Sequence, residues 1–257
     1  YKQQKTIKKD IENIHKVMSQ TRWNFEIIVV VDGFVDKTFD NAKKIKKDKI
    51  KVVGYENNKG KGYAIRYGMA RSKGDLICFI DSGMDIDASG ISMLLEHMVW
   101  YDADIVVGSK RHPVSQVYYP LVRKLYSFGY HFLVRLLFSL NLKDTQTGLK
   151  VFKRGVLEKV LPRLLVKRFA IDIEMLAVSK YLGFDKIYEA PVKVQLDPNN
   201  SEIKNTLLIF SKNVRNMMQD TLAVFYRLKI LGYYDDGNKR KWVYDKDLDM
   251  KINTGEI

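Results

Sequence analysis

Three short runs hold residue types that could act on an anionic substrate. The first is DSGMDID, over residues 81–87. Its carboxylates Asp81, Asp85 and Asp87 suit a hard divalent cation, because magnesium and manganese take oxygen ligands and commonly bridge diphosphate oxygens. The same acids can instead cap the helix that follows, and the run alone leaves both readings open. The second run, VVVDGFVDKT, puts Asp32 and Gly33 at the end of an apolar stretch. An acid there can hydrogen-bond a nucleobase or ribose, but Asp-Gly is also common turn chemistry. Asp36, a few residues on, reads as a helix cap. The third run is ENNKGKGYAIRYGMARSKGD. Gly60 and Gly62 let backbone N–H groups approach a phosphate, and Lys59 and Lys61 supply positive charge. Glycine-rich turns of this kind also occur without a ligand.

These runs need a scaffold, and the hydrophobic pattern supplies one. Residues 26–31, 50–53, 75–80 and 104–107 are short, β-rich apolar runs that read as buried strands. Between them, 36–47, 60–72 and 89–101 carry helical spacing, with Ile91, Leu94, Leu95 and Met98 as the clearest stripe. Strict alternation predicts an α/β fold with a mostly parallel sheet covered on both faces. Ligands of such sheets bind beyond the carboxyl ends of the strands. The loops after Val31, Val53, Ile80 and Val107 are therefore the ones to inspect, and the three runs occupy three of them. The chain opens on a helix over 5–18, where an open sheet of this kind would start with a strand; a first strand is expected ahead of it.

After residue 112 the alternation stops. Residues 118–140 form an aromatic-rich amphipathic stretch, and 144–195 mix short strands with a helix near 171–182. A second amphipathic helix is expected over 203–229, with Ile203, Leu207, Phe210, Val214, Met217, Leu222 and Phe225 at helical spacing. The tail from Tyr234 is polar, and no structure is assigned to it. The expected division is a catalytic domain over 1–200, an amphipathic and membrane-interfacial helix over 201–233, and a polar tail over 234–257.

Composition narrows the partners. At 257 residues and 46% hydrophobic, the chain can bury one substantial core. Its formal charge of +14 calls for a polyanion: nucleic acid, lipid headgroups or phosphorylated substrates. Nucleic acid fits poorly, since no nucleic-acid motif accompanies the charge and acids stand at the strand ends. Cys78 is the only cysteine, so disulfides and thiolate metal sites are out, and the four histidines have no paired spacing. No segment reaches about 18 uninterrupted apolar residues, so no transmembrane helix is predicted.

Order and spacing carry more than any run alone. Strand–DG–helix, NKGKG–helix and strand–Asp81 together resemble the family-two glycosyltransferases, whose pattern runs roughly VDDGSxDGT, NxGKGxAxxxGxxxAxGD and a strand ending in DAD. Downstream, GSKRHP (108–113), YYPLVRKLYSFGYHFLVRLLF, DTQTGLKVFKR (144–154), FAIDIEM (169–175) and EAPVKV (189–194) are similar to the dolichyl-phosphate hexose synthase branch. The resemblance covers about residues 5–195. It implies the GT-A fold and an inverting hexosyltransferase, which moves glucose or mannose from UDP- or GDP-sugar to a polyprenyl or dolichyl phosphate.

Carried over by position, the resemblance implies that Asp32 contacts the nucleoside, that Lys61 lies on the donor side and that Asp81 is the first metal-site acid. Lys110 stands where the branch usually has an arginine, and Arg123 matches a basic residue near the acceptor phosphate. Gln146 and Gly148 flank the sugar, and Asp172 and Glu174 are an acidic pair on a helix facing the site. Three positions depart from the pattern. Val31 and Phe34 replace an acid and a serine, and Gly83 stands where the second acid of the triplet belongs. Asp85 holds the place of a glutamine that often assists the metal, and it restores a carboxylate there.

A phosphate acceptor is already anionic and needs no strong base, unlike a sugar hydroxyl. The site must instead overcome repulsion between two anions, work suited to Lys110, Arg111 and Arg123. The expected cofactor is Mg2+ or Mn2+, with Asp81 and Asp85 as ligands. The expected location is the cytoplasmic face of a membrane, held peripherally by 118–140 and the lysines between 43 and 51 on an anionic surface. The alternatives are transfer to a sugar hydroxyl in glycan or glycolipid synthesis and, with Gly83 in mind, an inactive scaffold.

Overall fold

The computed structural model describes residues 1–83, 85–118, 121–195, 212–237 and 241–255. In chain order it has α1 (Ile7–Ser19), β1 (Ile27–Asp32), α2 (Thr38–Lys43), β2 (Ile50–Tyr55), α3 (Lys61–Ala70) and β3 (Leu76–Ile80). Then come α4 (Ser89–Trp100), β4 (Ile105–Ser109), β5 (Gln116–Tyr118), α5 (Leu121–Phe138), β6 (Leu149–Lys153), α6 (Arg154–Val160) and α7 (Ile171–Tyr181). The chain continues with β7 (Ile187–Pro191), β8 (Lys193–Gln195), α8 (Lys212–Phe225), β9 (Lys241–Asp245) and β10 (Met250–Gly255).

The apolar periodicities account for the layers. β1 and β2 pair in parallel, Ile27 opposite Ile50 through Asp32 opposite Tyr55, with α3 packed on β1. Ile7 and Ile11 of α1 join Val29 and Ala42 in a small cluster, while Met18 reaches a second cluster with Ile91, Leu94, Leu95 and Met98 of α4. All five residues of β4 are buried, as a strand covered on both faces requires. The largest cluster lies on the other face, where α5, α6, α7 and α8 cover Ile105, Val107 and Phe152.

The four-stranded sheet runs β3-β6-β4-β7. β4 and β7 are parallel, but β6 is antiparallel to both of its neighbours, so the sheet is mixed at this point. The cause is the path of the chain. After β4 it leaves for β5 and α5 and re-enters through DTQTG beside the end of β3, where the Asp81 N–H donates to the Gly148 carbonyl at 2.8 Å. A strand that starts there must run backwards. This reversal sets the DTQTG loop against Asp81.

The helix expected over 203–229 is present over 212–225 and continues as a wider turn to Ile230; residues 203–211 lie outside the described residues. The tail, left unassigned from sequence, holds the antiparallel hairpin β9–β10, which packs through β10 on the turn at Leu161–Arg163. Tyr234 and Leu248 are buried there, so the tail supplies core that its overall polarity conceals. Among the described residues no helix is long and apolar enough to cross a membrane.

Candidate active site

Asp32 ends β1, and its side chain turns onto the NKGKG loop. The carboxylate accepts the backbone N–H of Lys59 at 2.7 Å and of Gly60 at 3.1 Å, together with the Asn58 side-chain amide at 2.8 Å. Asp32 is buried, and its carboxylate anchors the loop. Gly60 has φ +97°, and a Cβ there would lie 2.3 Å from the Lys167 carbonyl oxygen. A Cβ on Gly62 would lie 2.4 Å from that of Val166. Both positions therefore exclude a side chain. The loop is held between Asp32 and residues 165–168.

Glu174 builds the other wall. It is fully buried in α7, and its carboxylate accepts the N–H groups of Leu165 and Val166 and the Tyr234 hydroxyl. Burial pushes its carboxyl above the usual range, despite these bonds. The structure thus separates Glu174 from its partner in the expected acidic pair. It braces the segment that backs the NKGKG loop.

Asp172, two residues earlier on the same helix, joins the site. Lys61 Nζ lies 2.8 Å from Asp81 Oδ2 and 3.2 Å from Asp172 Oδ2. Asp172 Oδ1 takes the ammonium of Lys150 at 2.5 Å, and Lys150 also donates to the Thr147 carbonyl at 2.6 Å. The four charges alternate from the surface inward. Side-chain exposure falls from 44% at Asp81 and 19% at Lys61 to 3% at Asp172 and zero at Lys150. Burial would raise the Asp172 carboxyl, but the two ammonium groups outweigh it and hold it below the usual range. For Lys61 the signs reverse: burial would lower its value, and Asp172 and Asp81 keep it raised. Lys150 escaped the sequence reading. The available signal was a lysine inside the apolar strand LKVFK, directly after DTQTG.

Gly148 touches this chain of charges, since a Cβ there would lie 1.9 Å from Asp81 Oδ2. The rest of its loop hangs on Asp144. That carboxylate accepts the N–H groups of Lys110 and Gln146 and the Thr147 hydroxyl, with Lys110 Nζ at 3.6 Å. Gln146 in turn directs its side-chain amide to Met217 Sδ on α8, at 3.1 Å. Lys110 is therefore tied to the DTQTG loop, while half-buried Arg111 follows it in the turn after β4. Arg123 belongs to α5, and its side chain lies outside the described residues.

The acidic run divides by role. Asp87 accepts the N–H and hydroxyl of Ser89 at the start of α4, and Asp36 accepts the Thr38 N–H at the start of α2, so both act as caps. Gly83, at φ +118°, donates its N–H to Asp10 of α1 at 3.1 Å. Asp85 is exposed on the same loop. Among the described residues no three His, Cys, Asp or Glu gather as a ready-made metal cluster. What the site does show is a cation already seated between the oxygens of Asp81 and Asp172, in the form of the Lys61 ammonium. The exposed carboxylate of Asp81, a hard oxygen donor, fits Mg2+ or Mn2+.

With this geometry in place, comparison with known proteins is informative. The model of Glycosyl transferase family 2 matches residues 7–161. The dolichyl-phosphate beta-glucosyltransferase of Drosophila melanogaster is 32% identical over 62% of this chain and 52% of its own length. That of Homo sapiens is 30% identical over 81% and 65%, and that of Saccharomyces cerevisiae 26% over 85% and 69%. The chain thus spans about half to two thirds of the length of these relatives. Among solved structures, glucosyl-3-phosphoglycerate synthase from Mycobacterium tuberculosis in complex with UDP superposes with a TM-score of 0.63 at 18% identity, over 95% of this chain and 80% of that one. The same enzyme with Mn2+, UDP-glucose and phosphoglyceric acid gives 0.60 at 17% identity, over 98% and 83%. The expected α/β fold of the GT-A type is the fold observed. By its sequence match over more than half of its length, the chain belongs to glycosyl transferase family 2.

Proposed function

We propose that the protein transfers glucose, with inversion, from a nucleoside-diphosphate glucose to a polyprenyl phosphate such as dolichyl phosphate. Glucose is favoured by the names of the relatives, each a dolichyl-phosphate beta-glucosyltransferase. The observation that favours a phosphate acceptor is the state of the acids on α7. Both oxygens of Asp172 are bound by lysines, and Glu174 is buried on backbone N–H groups. Neither is placed to remove a proton from a sugar hydroxyl. A phosphate monoester brings its own negative oxygen and needs no such base.

Each remaining group then has a task. The acceptor phosphate oxygen attacks the anomeric carbon as the bond to the donor diphosphate breaks, and both electrons of that bond leave with the diphosphate. Lys61 offsets the charge that builds on the leaving group, while the backbone N–H groups of Gly60 and Gly62, bound to Asp32 and to the Lys167 carbonyl, hold its loop in place. Asp81 and Asp85 would hold Mg2+ or Mn2+, which supplies further charge neutralisation when bound. Lys110, Arg111 and Arg123 offset the repulsion between the two anionic substrates. Attachment to a membrane surface is supported by exposed apolar side chains on two packed helices and the turn after them: Phe132 and Leu136 on α5, Leu222 on α8, and Tyr226 and Ile230 in the wider turn that continues it.

A panel of labelled UDP-glucose, UDP-mannose, GDP-glucose and GDP-mannose, offered with a short prenyl phosphate or the matching prenyl alcohol, tests the reading. It requires a glucolipid from the phosphate and none from the alcohol. Product from the alcohol, or from a free sugar hydroxyl with the phosphate inert, would move the protein to glycan or glycolipid synthesis.

A further inference from the structure

The seat of Lys61 has a consequence for how cation and donor arrive. Its backbone cannot move freely. Gly60 before it is bound by Asp32, and the Gly62 N–H after it donates to the Lys167 carbonyl at 2.8 Å. The side chain alone can pivot, and it runs beside Phe79 with Nζ 5.9 Å from the ring centroid. At its tip the ammonium has two carboxylate partners of unequal permanence. Asp172 is buried and fixed from behind by Lys150, whereas Asp81 is 44% exposed. The charges of Asp81, Lys61, Asp172 and Lys150 cancel as they stand.

We propose that Lys61 is the resident counter-ion of Asp81, which a divalent cation must displace, and that the donor diphosphate supplies the ammonium with its new partner. The proposal rests on the sugar-nucleotide reading of this site and adds an order to it. A cation arriving alone would set two further positive charges beside an ammonium that has just lost one carboxylate. A diphosphate arriving with the cation neutralises both, and Lys61 keeps Asp172 as its pivot while turning to the phosphate oxygens. Cation and nucleotide then strengthen each other's binding, as thermodynamic linkage requires of two ligands sharing one displaced group. Lys61 is thus a positioning residue that keeps Asp81 occupied until the loaded donor comes.

The test is Mn2+ binding to the whole protein, followed by electron paramagnetic resonance of the free ion, with and without UDP or GDP. Wild type should bind Mn2+ alone weakly. Lys61→Met removes the competing charge at nearly constant volume and should bind Mn2+ alone about tenfold more tightly. Lys61→Arg keeps the charge and should stay within about twofold of wild type. Lys186→Met removes a lysine that pairs with Asp102, away from Asp81, and it should leave Mn2+ affinity unchanged. Melting curves establish that each variant is folded. If wild type binds Mn2+ with nucleotide but folded Lys61→Met gains no affinity for Mn2+ alone, the displacement proposal is wrong and the sugar-nucleotide reading stands. If neither protein binds Mn2+ with any nucleotide, both are wrong.

Discussion

The backbone N–H of Lys59 lies 2.7 Å from the carboxylate of Asp32, joining the end of β1 to the loop that opens α3. This contact and its neighbours at Gly60 and Asn58 determine where Lys61 begins. Asp32→Ala would strand backbone donors in a buried place, at a cost of about 2–3 kcal/mol. It should also raise the donor KM about tenfold or more, with a smaller effect on the acceptor KM. Urea melts and separate KM measurements check both. A normal donor KM in a destabilised protein would reduce the Asp32 contact to scaffolding.

Glu174 makes the opposite prediction. Its carboxylate, fully buried, is bound to Leu165, Val166 and Tyr234. Glu174→Ala should cost about 3 kcal/mol, through lost charge-assisted bonds and the unpaired donors left behind. The kcat of the molecules that remain folded should change only a few fold. A fall of about a hundredfold at unchanged melting temperature would return Glu174 to the chemistry.

Asp144 gives the pH dependence. Burial would raise its carboxyl, but Lys110, the Thr147 hydroxyl and the backbone N–H groups of Gln146 and Lys110 outweigh this and lower it. A folded value below the unfolded value of about 3.9 means that the stabilisation is complete above that pH. It is lost as pH falls through the lower folded value. Melting temperature should therefore drop more steeply in wild type than in Asp144→Asn between about pH 5 and pH 2. Parallel curves would remove Asp144 as the brace of the DTQTG loop.

Much of this arrangement was legible in the sequence. The strands from 26 to 107 and the stripe Ile91, Leu94, Leu95, Met98 follow directly from periodicity, and that stripe is buried as expected. Asp81, Lys61 and Asp172 were also named, and they meet. What local pattern could not give was direction and depth. The reversal of β6 depends on where the chain re-enters the sheet, and only that reversal brings Gly148 and Lys150 beside Asp81 and Asp172. Asp172 and Glu174 are two residues apart in FAIDIEM, yet a helix turns them to different surroundings, one to the site and one to the Leu165–Val166 backbone. The hairpin at the C-terminus hid because its buried Leu248 is a lone apolar residue among Asp245, Lys246, Asp247 and Asp249.

The membrane reading turns on exposure. Phe132 is 63% and Leu136 is 70% exposed on α5, so neither is core packing, while Val134 and Phe138 on the same helix are buried. Phe132→Ser with Leu136→Ser should leave the melting temperature nearly unchanged and weaken flotation with anionic vesicles, even at low salt. Each side chain can contribute about 1.5–3 kcal/mol if buried in lipid. Salt should weaken the remaining attraction, through screening over about 8–10 Å. Unchanged flotation of the double variant would move the contact elsewhere.

The central claim is that Asp81, at the tip of β3, serves sugar transfer to a lipid phosphate. The direct measurement is the initial rate at which labelled glucose enters an organic-soluble product, with UDP-glucose, Mn2+ and a short prenyl phosphate, for wild type and Asp81→Asn. Wild type should form the glucolipid, and Asp81→Asn should fall by about a hundredfold or more at unchanged melting temperature. An equal rate in the folded variant would contradict the account, as would a wild-type protein that yields lipid-linked sugar from no nucleotide donor.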